Sequence, residues 1–217
     1  MTTGEANSDD SPIYLALGSN LGDREANLRE ALERLAARGL LVTRRSSIYE
    51  TEPVGFADQG WFLNQAVEAE MPRELMFDLS QQDVSRLGEV FGSNASIANA
   101  FQCGLLLREL FGIEAEMGRR REVINGPRVI DIDVLLCDRL AGVFDSTRPG
   151  AVGQLWREHR LPELSLPHPR MHLRRFVLAP LCEIAPAVIH PTLQRTCGEL
   201  LAALDDRAVV RLYRGAA

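Results

Sequence analysis

The segment Asn125-Gly126-Pro127-Arg128-Val129-Ile130-Asp131-Ile132-Asp133-Val134-Leu135-Leu136 sets two carboxylates into an otherwise apolar run, and any fold of this chain must find them a suitable environment. Gly126-Pro127 forces a turn, after which the β-branched residues read as a strand. Because side chains alternate across a strand, Asp131 and Asp133 share one face while Ile130, Ile132 and Val134 take the other. Two readings stand at this point. A half-buried edge strand with a solvated polar face accounts for the alternation by itself. Yet like charges about 7 Å apart on one rigid element repel unless a cation or a proton intervenes, and with Arg128 just before them the pair suits one or two Mg²⁺ ions carrying a polyphosphate.

Composition narrows the remaining choices. With 217 residues, 46% hydrophobic and 25% charged, the chain has the make-up of an ordinary globular protein with room for a sizeable core. A net charge of −6 argues against general nucleic-acid affinity, although a local basic cluster can still hold a small anion. Cys103, Cys137, Cys182 and Cys197 show no zinc-ligand spacing and are expected as reduced thiols. Residues 1–11 are polar and acidic and are expected as a flexible tail ahead of a single domain over 12–217. No window is long and apolar enough to span a membrane, so a soluble, cytoplasmic protein is expected.

Ile13 to Leu17 reads as a buried strand, and Gly18-Ser19-Asn20-Leu21-Gly22-Asp23 as the turn after it. Asp23 suits the N-cap of a helix whose apolar residues Leu28, Ala31, Leu32, Leu35 and Ala36 recur at helical spacing until Gly39. Gly18-Ser19-Asn20 fits a tight turn at least as well as a phosphate loop; with no G-x-x-x-x-G-K-[ST] sequence, it is assigned no catalytic role. A second strand is expected over Val42 to Tyr49, then a Pro- and Gly-marked loop, then a third strand over Phe62 to Glu70. Trp61, Phe62 and Asn64 open that strand. An amide among aromatic rings can bind a flat heterocycle, and core packing explains the rings equally well. Residues 76–104 read as an inserted excursion, helical from Met76 to Leu87 and broken at Gly92-Ser93-Asn94-Ala95-Ser96. The next helix is expected over Leu105 to Met117, with Leu106, Leu110, Ile113 and Met117 inward and Glu109, Glu114 and Glu116 toward solvent.

Arg119-Arg120-Arg121 follows that helix. Cations at a helix C-terminus are favoured by its dipole whatever they do, but with Arg128 and both aspartates downstream the cluster equips a triphosphate site. Asp138 to Glu163 is a long irregular link holding a second insertion, near 143–160, with a short helix around Val152 to Arg160. Leu164 to Phe176 is then a Pro-framed loop carrying His168, Arg170, His172 and Arg174. Pro167 and Pro169 argue against one helical metal face for His168 and His172 and favour hydrogen-bonding roles. An apolar helix, Phe176 to Ile184, a short helix, Gly198 to Leu204, and a last strand, Ala208 to Tyr213, complete the chain. The order strand, helix, strand, strand, helix, strand predicts an α+β, ferredoxin-like sandwich with helices on one face of a mostly antiparallel sheet.

Taken in order, Leu17-Gly18-Ser19-Asn20-Leu21-Gly22, Tyr49-Glu50-Thr51-Glu52-Pro53-Val54-Gly55, Phe62-Leu63-Asn64, Gly126-Pro127-Arg128-Val129-Ile130-Asp131-Ile132-Asp133 and Leu166-Pro167-His168-Pro169-Arg170-Met171 resemble the 6-hydroxymethyl-7,8-dihydropterin pyrophosphokinase family of the folate pathway. The resemblance runs from about Ile13 to the C-terminus. It implies transfer of the β,γ-pyrophosphoryl group of ATP to the hydroxymethyl oxygen of the pterin, leaving AMP. It also implies two Mg²⁺ held with ATP by Asp131 and Asp133, and phosphate contacts from Arg119 or Arg121, Arg128, His168 and Arg174. Glu114 would lie near the nucleotide, Thr51, Val54 and Asn64 would read the pterin's hydrogen-bonding edge, and Phe176 would stack on its ring. Such chemistry asks for in-line positioning and charge neutralisation more than for a protein base.

One departure stands out: Asn125 occupies a position where many relatives carry an aromatic residue. The expected partners are ATP and the pterin, with no nucleic acid and no membrane, and the chain is expected as a monomer. An alternative keeps the fold and drops the chemistry: a catalytically inactive nucleotide- or pterin-binding module whose insertions serve a regulatory or partner contact, binding ATP without releasing AMP. A ferredoxin-like RNA binder is disfavoured by the charge and by the lack of an RNP-type aromatic motif.

Overall fold

Strand β1 (Ile13–Ser19) runs through the middle of the molecule, and its apolar run has a simple cause: a strand covered on both faces has no solvent side on which to place polar residues. The computed structural model describes residues 12–56, 58–70, 95–120, 125–137 and 140–215. The expected tail, the helix expected over Met76 to Leu87, and Arg121 lie outside the described residues.

In α1 (Arg24–Ala37) the Asp23 carboxylate accepts the Ala26 amide at 2.9 Å, Leu28, Ala31 and Leu35 are buried at helical spacing, and Gly39 leaves the helix at a φ of 80°. The one strand expected over Val42 to Tyr49 is two, β2 (Leu41–Arg45) and β3 (Tyr49–Thr51), both paired with β4 (Phe62–Glu70). Ser46 makes the break. Its hydroxyl accepts the Ala66 amide at 3.0 Å, and its carbonyl is taken instead by the Gln65 side chain at 2.7 Å, so the regular ladder cannot continue.

Helix α2 (Ala95–Glu116) begins ten residues before the expected Leu105, so residues 95–104 of the first expected excursion belong to it. Gly104 is a packing position inside this helix: a Cβ there would stand 2.8 Å from the Trp156 ring. β5 (Asp131–Cys137) returns along β1. The second expected insertion holds β6 (Gly142–Phe144) and α3 (Gly150–Glu158), and the stretch expected as a loop from Leu164 opens instead with a strand, β7 (Leu164–Leu166), which pairs with β6. Trp156 is fully buried, donates to the Pro162 carbonyl at 2.9 Å, and lies 5.9 Å from the rings of both Phe101 and Phe144. Two stretches that read as separate excursions therefore dock on each other through one tryptophan.

After a 3₁₀ turn at Met171–Leu173 come α4 (Arg175–Ile184), the small hairpin β8 (Ile189–His190) and β9 (Arg195–Thr196), and α5 (Cys197–Ala203), which Thr196 and Glu199 close with a capping box. β10 (Val210–Leu212) ends on β3. The main sheet is antiparallel throughout, in the order β10-β3-β4-β1-β5 with β2 also on β4, and the architecture is α+β. The helices, expected on one face, cover both. Ile13, Leu15 and Leu17 pack with Leu28, Leu35 and Leu110 of α1 and α2, while Tyr14 and Ala66 pack with Val177, Leu178 and Leu181 of α4. The apolar C-terminal helices supply that second layer. Between Tyr14 and Leu15 the β1–β5 register slips, and the carbonyl of Leu135 at the slip accepts the His168 amide at 2.9 Å, which ties the Pro-framed loop to the strand of the aspartates.

Candidate active site

The end of the sheet's second face beside the start of α4 stays open, and a cleft lies there. Across its floor Asn64 of β4 pairs with Gly18 of β1, Gly18 pairs with Asp131 of β5, and Asp133 pairs with Ala16. The Asn64 amide donates to the Thr51 hydroxyl at 2.8 Å, and both residues are buried. Phe62, half-exposed Val54, Phe176 and Val177 give the cleft its apolar walls.

A second cleft shares Asn125, Arg128, Asp131, Asp133 and Arg174 with the first and continues along Leu107 and Phe111 of α2, Ser165 of β7, and His168 and Arg170. The two aspartates thus stand on a wall common to both spaces. Their surroundings differ. Asp131 is ion-paired by Arg128 at 2.8 Å and by Arg119, whereas Asp133 has the His168 ring at 3.9 Å. Desolvation and the charge of Asp131 push the Asp133 carboxyl up to about 7, with Arg174 pulling the other way. Burial, with help from Arg174 and Arg170, brings His168 down to about 4, so its ring is neutral. The Arg170 amide donates to His168 Nδ1 at 3.2 Å; the proton therefore sits on Nε2, the nitrogen facing Asp133. Burial and Arg170 also lower the Arg174 guanidinium, which stacks 5.4 Å from the Phe176 ring.

The loop before β5 is held by residues that sequence reasoning passed over. Asn20, in the turn assigned no catalytic role, accepts the Arg128 amide at 2.7 Å through its side chain and donates its own amide to the Arg128 carbonyl at 3.1 Å. Gln59 bridges the Asn20 side chain at 2.9 Å and the Asn125 carbonyl at 3.0 Å. Asn125 adopts a φ of 56°, a left-handed conformation that asparagine tolerates better than bulky residues do. The side chain of Arg128 lies 4.9 Å over the Phe62 ring.

Among the described residues no group of three or more His, Cys, Asp or Glu gathers as a metal cluster. Two carboxylates facing an arginine- and histidine-lined cleft nevertheless suit Mg²⁺, which binds through one or two carboxylates and takes its other ligands from phosphate and water. The pair does not suit zinc, which needs three or four protein ligands.

A profile of 7,8-dihydro-6-hydroxymethylpterin-pyrophosphokinase (HPPK) matches residues 14–88 and 89–186, which includes both aspartates and the His168 loop. The chain belongs to the HPPK family. A 2-amino-4-hydroxy-6-hydroxymethyldihydropteridine pyrophosphokinase of Bacillus subtilis is 40% identical over 205 residues, covering 93% of this chain and 89% of that protein. One of the same name from Methylorubrum extorquens is 38% identical over 92% of this chain and 97% of its own length. In fold, the chain is similar to Plasmodium falciparum HPPK-DHPS, with a TM-score of 0.54 at 12% identity over 89% of this chain and 44% of that one. It thus spans just under half the length of that solved chain.

Of the residues expected from the HPPK pattern, Thr51, Val54, Asn64, Phe176, Arg128, Asp131, Asp133 and Arg174 line the first cleft, and Arg119 and His168 join the second. Glu114 overturns the expectation that it faces solvent: it is 2% exposed, accepts the Ile132 amide at 2.8 Å, and ion-pairs Arg119. Its place four residues after the buried Leu110 puts it at the edge of the inward stripe, a signal of burial that its charge outweighed; the partners themselves lie outside the helix. His172 sits apart from His168 and packs edge-on against His190 at 5.6 Å.

Proposed function

We propose that this chain is an active pyrophosphokinase of folate biosynthesis, transferring the pyrophosphoryl group of ATP to the hydroxymethyl oxygen of 6-hydroxymethyl-7,8-dihydropterin and releasing AMP. Membership of the HPPK family and relatives at 36–40% identity named for that activity support it. The single observation that carries the reading is the position of Asp131 and Asp133, with Arg128 and Arg174, on the wall shared by two clefts that differ in the rest of their lining. One cleft offers an amide, a hydroxyl and aromatic walls, which suit a flat heterocycle; the other offers arginines and a neutral histidine, which suit a polyphosphate.

In this reading Thr51, Val54 and Asn64 orient the pterin edge and Phe176 stacks on its ring. Arg128, His168 and Arg174 bind phosphate oxygens together with Arg119; Arg121 is assigned with them. Asp131 and Asp133 would hold Mg²⁺, two ions being the count that the HPPK pattern implies for this pair of carboxylates with ATP. The metal, when bound, neutralises phosphate charge and lowers the pKa of the attacking oxygen. The protein's part is to bring two substrates together from opposite clefts, exclude water and keep His168 neutral as a donor from Nε2. The strand order, with β5 beside β1 and the β3–β4 hairpin on the other side, supports the ferredoxin-like assignment. A monomer in the cytoplasm completes the proposal; among the described residues no helix is long and apolar enough to cross a membrane. No observation favours the inactive binding module.

The test is AMP release from ATP and Mg²⁺, with and without the pterin, for wild type beside Asp131→Asn and Asp133→Asn. Pterin-dependent AMP, reduced by about 100-fold or more in either variant, is the expected result. A folded wild type that binds ATP and yields no AMP would overturn the proposal in favour of the binding module.

A further inference from the structure

Glu114 sits in the last turn of α2, where the helix dipole disfavours a carboxylate, and it is only 2% exposed. A charge is tolerated in such a setting only when paired and hydrogen-bonded. Its partners are informative. The Ile132 amide donates to Glu114 Oε1 at 2.8 Å, and the same carboxylate ion-pairs Arg119, which in turn ion-pairs Asp131. β5 is an edge strand with β1 on one side only, so the Ile132 amide, midway between the two aspartates, finds in Glu114 the acceptor that a neighbouring strand would have supplied.

We infer that Glu114 is a positioning residue for the proposed pyrophosphoryl transfer, pinning the backbone between Asp131 and Asp133 and holding Arg119 against Asp131 without itself touching nucleotide. The inference rests on the function proposed above. It differs from the expectation drawn from the family resemblance, in which Glu114 serves the nucleotide directly. The side chain lines neither cleft, so it acts through Arg119 and through the strand, and its charge reaches Asp133 only from behind that strand. Placing charge and backbone to within a fraction of an ångström is what phosphoryl chemistry asks of such a group.

Full-length Glu114→Gln, Glu114→Ala, Arg119→Gln and the Glu114→Gln/Arg119→Gln double variant provide the test, each checked for folding by circular dichroism and melting. Gln keeps an acceptor for the Ile132 amide and removes only the charge, so it decides the matter even if the Ala variant fails to fold. Mn²⁺ binding in the presence of a non-hydrolysable ATP analogue, read by electron paramagnetic resonance, needs no turnover. Loss of a residue supporting a metal ligand typically weakens metal binding by about 10–100-fold; both Mn²⁺ affinity and kcat are expected to fall in that range for Glu114→Gln. Because Arg119 is itself assigned to phosphate, the KM for ATP should rise no further in Glu114→Gln than in Arg119→Gln, and the double variant should be no worse than Arg119→Gln alone. A KM for ATP raised beyond that of Arg119→Gln, with unchanged kcat and Mn²⁺ affinity, would make Glu114 a nucleotide ligand and overturn the inference, as would additive losses in the double variant. Wild type that binds Mn²⁺ and the analogue yet forms no AMP would refute the proposed function, while the Mn²⁺ comparison would still judge Glu114.

Discussion

The side-chain oxygen of Asn64 lies 2.8 Å from where a β-carbon on Gly18 would stand, so the amide that lines the first cleft is seated in space only glycine leaves open. Gly18→Ala is therefore expected to push Asn64 away from Thr51. Strain of this kind costs about 1–3 kcal/mol. Melting temperature should fall and the KM for the pterin should rise, with the KM for ATP nearly unchanged. Equal changes in both KM values would refute a role confined to the first cleft.

Thr51 supplies the acceptor for Asn64 at 2.8 Å in a buried setting. Thr51→Val keeps the shape and leaves the Asn64 donor free to turn, at a cost of about 1–3 kcal/mol for an unpaired buried group. We expect the pterin KM to increase by about 10-fold, equivalent to about 1.4 kcal/mol. Steady-state kinetics at saturating ATP would check it, and an unchanged KM would show that Asn64 is oriented by something else.

Glu50 joins β3 to its surroundings through Arg211 at 2.7 Å and Arg24 at 3.0 Å, and these two cations, Arg211 foremost, hold its carboxyl below the usual 4.5. A carboxylate whose folded pKa is depressed contributes stability above its unfolded pKa and loses that contribution as pH falls through the folded value. Glu50→Gln should accordingly be less stable than wild type at pH 7, with the gap closing at acid pH. Melting temperatures recorded from pH 7 down to about pH 3 would reveal it; a gap constant with pH would mean the ion pairs contribute nothing.

Gly104 and Trp156 clamp α2 to the β6–α3–β7 unit, whose last strand brings Ser165 to the second cleft. Gly104→Ala would force the indole aside and destabilise by about 1–3 kcal/mol. Denaturant unfolding measures the loss. A raised KM for ATP, with the pterin KM little affected, is the expected kinetic companion.

Much of the strand that carries the two aspartates is legible in the sequence. Alternation alone put Asp131 and Asp133 on one face, Asp23 and Gly39 marked the ends of α1, and Gly126-Pro127 announced the turn. Features that depend on distant partners were not. Gly104 reads as the end of an excursion and is instead the seat of Trp156 inside α2; Ser46 reads as mid-strand and is instead the residue whose hydroxyl interrupts the ladder. Asn20 belongs to a turn by sequence, and only its bonds to Arg128, 108 residues away, make it a tether of the loop before β5.

By itself, then, the sequence determined which residues could act and the direction each takes from its own strand or helix, because backbone periodicity is a local property. The tertiary structure alone decided what each one meets. It covered the second face of the sheet with α4, brought two clefts together at the aspartates, and turned Glu114 from an apparent solvent residue into the acceptor for Ile132 and the counter-ion of Arg119. Periodicity cannot report this, since burial and charge pairing are set by whichever other element packs alongside.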